Sequence, residues 1–183
     1  MSKKPKKTLP EQAESCGCPD VDKAASVRVA VLTLSDSRTL QTDRSGDAVV
    51  AHLKDSGHIV AARELLADDA EPLQKQLAQW REDAKIEAII TTGGTGIAPR
   101  DMAIDVIEKC LDVELTGFGE TFRRISYDEI GPKAMLSRAT AGRMGRTVVF
   151  ALPGSTGAVR TAMTECVLPI LQHAVALAGR GRT

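Results

Sequence analysis

The sequence predicts an α/β protein: a mainly parallel sheet covered by helices on both faces. Two observations predict it. Short β-rich runs alternate with stretches of helical period along most of the chain, the pattern of parallel strands joined by helical crossovers. Polar, glycine-bearing turns follow several of the strand candidates, and ligands of such sheets bind outside the carboxyl ends of the strands.

The elements follow in order. Val27 to Leu34 (VRVAVLTL) is a β-rich run. Gly46 to Ser56 has helical spacing, with Val49, Val50 and Leu53 inward and Gly57 as the stop. Ile59 to Leu66 is a second strand. Pro72 suits the first turn of a helix whose apolar face carries Leu73, Leu77 and Trp80. Ile86 to Thr92 is a third strand. Ile104, Ile107 and Leu111 mark another helix, and Phe118, Phe122 and Ile125 a short one. Thr147 to Leu152 is a late strand. Gly157 to Ala178 reads as one long helix with Met163, Val167, Ile170, Ala174 and Leu177 on one face and a kink at Pro169.

Composition excludes several classes. The chain has 183 residues, enough for one domain with a sizeable core. Aromatics are only 3%, so stacking platforms for single-stranded nucleic acid are not expected, and a formal net charge of zero argues against a nucleic-acid binder. No apolar run approaches a membrane span, and the lysines at the N-terminus precede no apolar core of a secretory signal; a cytoplasmic protein is expected. Residues 1–25 read as a disordered N-terminal tail and 26–183 as the folded domain. In the tail Lys3, Lys4, Lys6 and Lys7 cluster near prolines and acids, a composition that cannot bury enough apolar surface to order itself. Cys16 and Cys18 also lie there, with no Cys-x-x-Cys or His pair to complete a metal site. Cys110 and Cys166 fall in helical patterns and read as small buried hydrophobes.

The stretch Ala88 to Asp101, AIITTGGTGIAPRD, carries the most chemistry. A strand ends at Thr91 and Thr92 and opens into Gly93-Gly94-Thr95-Gly96, and a helix follows. Glycines let backbone N–H groups approach a phosphate, and the next helix N-terminus adds partial positive charge. No Gly-Lys-Ser/Thr follows, so it is not a Walker A loop; the third glycine of the dinucleotide fingerprint is also missing. The competing reading is a ligand-free glycine turn. Asp101 is the one acid in the loop; beside phosphates its charge calls for a divalent cation. Arg100 is either a phosphate contact or a solvated loop residue.

Other strand-end residues converge on the same edge. Ser35 and Asp36 follow the first strand. Asp68 and Asp69 follow the second, where Asp68 either faces Asp101 across a Mg²⁺ site or caps the next helix. Asp43, Ser45 and Gly46 precede the first helix, as an N-cap or as a turn closing over a polar ligand. Pro153, Gly154 and Ser155 follow the last strand. The order P-G-S-T-G is not a nucleophile elbow, and His52, His58 and His173 lack metal-ligand spacing.

Together these residues resemble the molybdenum-cofactor biosynthesis family that includes the molybdopterin adenylyltransferases. The resemblance runs from about Val27 to Ala178. It rests on the TTGGTG-x-x-x-RD loop, the S-D turn at Ser35, D-x-S-G at Asp43 to Gly46, GFGE at Gly117 to Glu120, S-R-A at Ser137 to Ala139, and LPGS at Leu152 to Ser155. It implies a three-layer α/β/α sandwich and a trimer or a dimer of trimers. It implies binding of molybdopterin, a pterin with a dithiolene and a terminal phosphate, and its adenylylation by Mg²⁺ and ATP with release of pyrophosphate. Asp68 and Asp101 take the metal and catalytic positions. Thr92 to Gly96, Arg100, Glu120, Ser137 and the Pro153–Ser155 turn take nucleotide and pterin contacts, with Ser35, Asp36, Asp43, Ser45 and Gly46. Other proteins of the same pathway are implied as partners. After Gly117 the chain is closer to a shorter, hexameric B-type branch whose bacterial members include ones read as inactive, whereas A-P-R-D is closer to the active branch. An adenylyltransferase and a non-catalytic molybdopterin-binding scaffold are therefore the two expectations.

Overall fold

A computed structural model describes residues 25–179. The expected tail, with Cys16 and Cys18, lies outside the described residues except for Ala25. Six strands form one sheet: β1 (Arg28–Leu34), β2 (Ile59–Leu66), β3 (Ala88–Thr92), β4 (Val113–Glu114), β5 (Thr140–Met144) and β6 (Thr147–Leu152). Their order is β2-β1-β3-β6-β5-β4. The first four neighbours are parallel, and β5 and β4 extend the sheet antiparallel.

The helices are α1 (Arg44–Asp55), α2 (Ala70–Glu82), α3 (Ala103–Cys110), α4 (Thr116–Ile130), α5 (Thr156–Ala162) and α6 (Leu171–Ala178). They make three layers because the central strands are apolar on both faces. Val29 and Val31 of β1, Ile90 of β3 and Phe150 of β6 join Val49, Leu53, Phe118, Phe122, Val159 and Met163 in one core. Ala30, Leu32, Ile89 and Val149 join Leu73, Leu77, Trp80, Ile104 and Ile107 in the other. Such strands read as near-continuous apolar runs, as β1 and β6 do. No single helix among the described residues is long and apolar enough to cross a membrane.

Four sequence expectations change. The "short" helix around Phe118 is α4, with 15 residues; Phe118, Phe122 and Ser126 are buried along one face, and most of its other polar residues are exposed. The helix expected from Gly157 to Ala178 is broken: α5 runs into a π-turn at Met163–Val167, and the axis then bends by 63° into α6. Pro169 has no N–H for a helical bond, so the chain turns there. The bend takes Ile170 and Leu177 off the core face, where they are exposed, while Met163 and Val167 stay buried. Strands β4 and β5 were not foreseen; β4 has two residues, and Gly142 and Arg143 interrupt the apolar pattern of β5. The third strand begins at Ala88, with Ile86 buried just before it.

Candidate functional site

Strand order reverses at β1. The chain leaves β1 for β2 on one side and returns through α2 to β3 on the other. The crevice between the carboxyl ends of β1 and β3 is the ligand position of a doubly wound sheet. Four turns meet there. Ser35 N–H donates to Leu66 O (2.9 Å), and Asp68 N–H donates to Asp36 Oδ1 (3.0 Å), tying the turns after β1 and β2 together. Thr92 Oγ1 donates to Pro153 O (3.0 Å) and Gly93 N–H to Leu152 O (3.1 Å), joining the glycine loop to the turn after β6. Arg38, after β1, donates to Gly154 O (3.4 Å).

The glycine loop depends on two of its glycines. Gly93 has φ 108° and Gly94 φ 62°, conformations that carry strain for a side chain. A Cβ on Gly93 would lie 2.2 Å from Leu34 O, and one on Gly94 2.8 Å from Asp68 Oδ1. Asp68 thus stands directly against the loop. Its Oδ1 is buried and has no hydrogen-bond partner among the described residues. Burial raises its pKa above the usual carboxylate range. The charges of Asp101 and Asp36 raise it further, and Arg100 opposes them. Asp101 accepts from Ala98 N–H on Oδ2 (2.8 Å), which folds the end of the loop back on itself. The N–H groups of Gly94, Thr95 and Gly96 have no partner among the described residues, whereas that of Gly93 is taken by Leu152.

Other expected residues sit at the crevice edge or away from it. Asp43 is the N-cap of α1 and is fully buried. It accepts from Gly46 N–H (2.9 Å), Ser45 Oγ (3.0 Å), Thr33 Oγ1 (2.6 Å) and Arg63 (3.2 Å). Burial pushes its pKa up, but these bonds, that from Thr33 foremost, outweigh it and hold the carboxyl below its usual value. The N-cap reading accounts for these bonds of Asp43, Ser45 and Gly46, and Arg38, which bonds both Ser45 and Gly154, links them to the crevice. Asp69, not Asp68, occupies the N-cap position of α2, and its side chain makes no capping bond. Ser155 caps α5 by accepting from Ala158 N–H (3.3 Å). Arg100 is exposed on the loop. Glu120 lines a separate cavity on α4, which Ser137 and Arg138 also line.

Sequence reasoning missed Arg138. Its backbone N–H donates to Thr95 O (3.0 Å), and its guanidinium donates to Gly96 O (2.9 Å), Asp101 O and both oxygens of Asp105 (3.0 Å each). It therefore straps the glycine loop to α3. The S-R-A motif contained the signal, but only its serine was placed in the site. A cavity of about 730 Å³ lies at the opposite edge, among Arg28, Arg81 and Arg146, where the parallel strands present their amino ends.

No group of three or more His, Cys, Asp or Glu is arranged to hold a metal among the described residues. The orphaned Asp68 oxygen beside Asp101 nonetheless suits Mg²⁺, which takes one or two protein carboxylates and completes its shell with water and substrate phosphates.

A reversed-order sheet whose crevice holds a glycine loop against an unpaired carboxylate defines the class: a doubly wound α/β protein with a ligand crevice at its switch point. The comparisons make this specific. Residues 30–173 match the family model described as "Probable molybdopterin binding domain". The Molybdenum cofactor biosynthesis protein B of Bacillus cereus is 47% identical over 148 residues, 80% of this chain and 88% of that one. A crystal structure of a Molybdenum cofactor biosynthesis protein B is similar with TM-score 0.84 at 45% identity, over 86% of this chain and 99% of the other. The Molybdopterin biosynthesis enzyme MoaB of Thermus thermophilus matches with TM-score 0.75 at 37% identity, over 84% and 96%. The chain belongs to this molybdopterin-binding-domain family of molybdenum cofactor biosynthesis proteins.

Proposed function

We propose that the chain adenylylates molybdopterin with ATP and Mg²⁺. A terminal phosphate oxygen of molybdopterin attacks the α-phosphorus of ATP. A new P–O bond forms there, the bond from the α-phosphorus to the β-bridging oxygen breaks, and pyrophosphate leaves with the electron pair. The single observation that carries this reading is the buried, unpartnered Oδ1 of Asp68 against Gly94, with its pKa raised by burial and by Asp101 and Asp36. An isolated buried carboxylate is costly, and a cation brought with the substrate relieves it.

Asp68 and Asp101 would hold Mg²⁺, which neutralises phosphate charge and the charge of the departing pyrophosphate. The free amides of Gly94, Thr95 and Gly96 hold a phosphate without adding a titratable group. Arg138 fixes the loop that carries them. Little covalent chemistry falls to the protein, and positioning supplies much of the rate.

The functional unit is proposed to be a trimer or a pair of trimers. Tyr127, Ile130, Met135 and Leu136, all exposed on α4 and the turn after it, support association through this surface. Sedimentation at micromolar concentration should give three or six copies; a monomer overturns this part.

The deciding experiment is incubation of the purified protein with molybdopterin and ATP, with and without Mg²⁺, and detection of adenylyl-molybdopterin and pyrophosphate. Metal-dependent product is expected. Molybdopterin binding without Mg²⁺-dependent ATP binding or turnover would make the protein a carrier instead.

A further inference from the structure

The first half of the glycine loop leaves its N–H groups open and anchors its carbonyls. The N–H of Ile97, like those of Gly94, Thr95 and Gly96, has no partner among the described residues. Three loop carbonyls are held by one residue. Arg138 donates its backbone N–H to Thr95 O (3.0 Å), its Nε to Gly96 O (2.9 Å) and its Nη2 to Asp101 O. The remaining nitrogen, Nη1, donates to both carboxylate oxygens of Asp105 in the first turn of α3 (3.0 Å each). Each nitrogen of the guanidinium thus serves a different point, which a planar fork does and an ammonium does not.

A trans peptide is planar, so the C=O of one residue and the N–H of the next point in opposite directions. Holding Thr95 O and Gly96 O on Arg138 therefore turns the N–H groups of Gly96 and Ile97 away from it. Successive amides presented together make an anion-binding concavity. The same guanidinium holds Asp101 O, and the Asp101 carboxylate packs on Gly96, where a Cβ would collide with its Oδ2. We propose that Arg138, set in place by Asp105, is a positioning residue. It holds the Gly96 and Ile97 amides and the Asp101 carboxylate in fixed relation before any ligand arrives, and so preorganises the loop for the phosphates of a nucleotide. The inference rests on the adenylylation reading, in which Asp101 takes part in holding Mg²⁺. It adds the Ile97 amide to the phosphate cradle and gives Asp105 a role that acts only through Arg138.

The test uses the full chain and begins without turnover. Arg100 is exposed on the loop, and trypsin cuts after it only when the loop opens locally. Asp105→Ala should raise the rate of that cut about tenfold, the scale of a lost charge-assisted hydrogen bond, and Asp105→Asn, which keeps an acceptor for Nη1, should restore most of the protection. Asp105 is 57% exposed, so both variants should melt within about 2 °C of wild type. Arg138→Lys keeps the charge but cannot span three points, and should open the loop further. Calorimetric titration with magnesium pyrophosphate should show about tenfold weaker binding in Asp105→Ala, because the loop must then be ordered as it binds. Removing an acid near an anion site would by charge alone strengthen binding, so a loss identifies the strap. In turnover, KM for ATP should rise by a similar factor with kcat nearly unchanged, since saturating substrate restores the arrangement. An unchanged cut at Arg100, absent or unchanged pyrophosphate binding, or a fall in kcat at constant KM overturns the inference. Strap-dependent pyrophosphate binding without ATP turnover would keep it and discard adenylylation. Turnover indifferent to the Asp105→Ala and Arg138→Lys changes would do the reverse.

Discussion

Asp43 and Asp68 follow neighbouring strands at the same edge of the sheet, and their surroundings are opposite. Around Asp43 the fold supplies Thr33, Ser45, the Gly46 amide and Arg63, and the carboxylate is saturated and held in its charged form. Around Asp68 it supplies the glycine loop and two further acids, and one oxygen is left with nothing. The same residue type is a structural hub in one turn and a stored electrostatic cost in the next. A cost of that kind persists in a native fold where a ligand relieves it. Hydrogen-bond saturation, more than proximity to the crevice, separates the two roles.

The largest effect should come from removing the unsatisfied group. Asp68→Asn is expected to lower adenylylation by about 10²–10³-fold or more, the scale of losing one preorganised electrostatic contact. Its stability should stay within about 1 kcal/mol of wild type, since the change removes a buried charge with no partner. Asp101→Asn should behave alike, and the double variant should lose little beyond either one, because groups acting as a unit are non-additive. Product formation in quenched-flow assays and a chemical-denaturation curve give both numbers. Near-wild-type turnover in either single variant would remove the pair from the mechanism.

The reverse pattern is expected at Asp43. Asp43→Ala strips the cap from α1 and leaves Arg63 and Arg38 without their buried partner. Breaking a buried ion pair costs about 3–5 kcal/mol; the lower end applies because both arginines are partly exposed. Denaturant midpoints report this loss. Any turnover that survives should scale with the folded fraction. A stable but inactive Asp43→Ala protein would collapse the distinction and put Asp43 in the site.

Much of this contrast was legible in the sequence, and the unread part has physical causes. The apolar strands β1, β3 and β6 and the GGTG loop announced themselves because both-face burial and tight turns restrict residue choice. The edge strands β4 and β5 did not, since two residues, or a run broken by Gly142 and Arg143, carry no period. Pro169 was read as a kink, yet the π-turn before it and the exposed Ile170 depend on packing that periodicity does not encode. At Asp43 both an N-cap and a ligand turn were open, because a sequence shows the carboxylate and not how many donors reach it. Arg138 was overlooked for a similar reason: besides Asp105 its targets are backbone carbonyls of Gly96 and Asp101, and a carbonyl has no letter in the sequence.

A smaller effect sharpens the geometry of the loop. Gly94→Ala places a methyl group 2.6 Å from the Ala103 side chain and 2.8 Å from Asp68 Oδ1, at φ 62°. The left-handed conformation and the clash together should cost about 2–3 kcal/mol. Loss of turnover should exceed what unfolding explains, because the displaced group is the Asp68 carboxylate. The control is Gly57→Ala, also at positive φ (78°) but with open space around it; it should lose about 1 kcal/mol and no activity per folded molecule.

The smallest effect concerns pH and keeps the Asp43 measurement honest. Asp43 has a folded pKa below its usual 3.8, so its stabilisation is complete above that value and is lost as pH falls through the lower folded one. A second buried group titrates earlier. His58, at the opposite edge of the sheet, is 7% exposed and accepts from Val27 N–H on Nδ1 (3.2 Å). Burial lowers its pKa below 6.5, so the unfolded chain binds the proton first and stability declines as pH drops from 6.5 toward the folded value. Denaturant midpoints from pH 7.5 downward should therefore carry two losses, an upper and a lower stage, partly offset between them by Asp68, whose raised folded pKa adds stability as it protonates. His58→Gln, which can keep an acceptor near Val27, should flatten the upper stage alone. Asp43→Asn should flatten the lower stage alone, provided enough folded protein remains to measure. A lower stage that survives in Asp43→Asn would mean that its carboxylate is not held ionised by its four donors, and the contrast with Asp68 would lose its electrostatic basis.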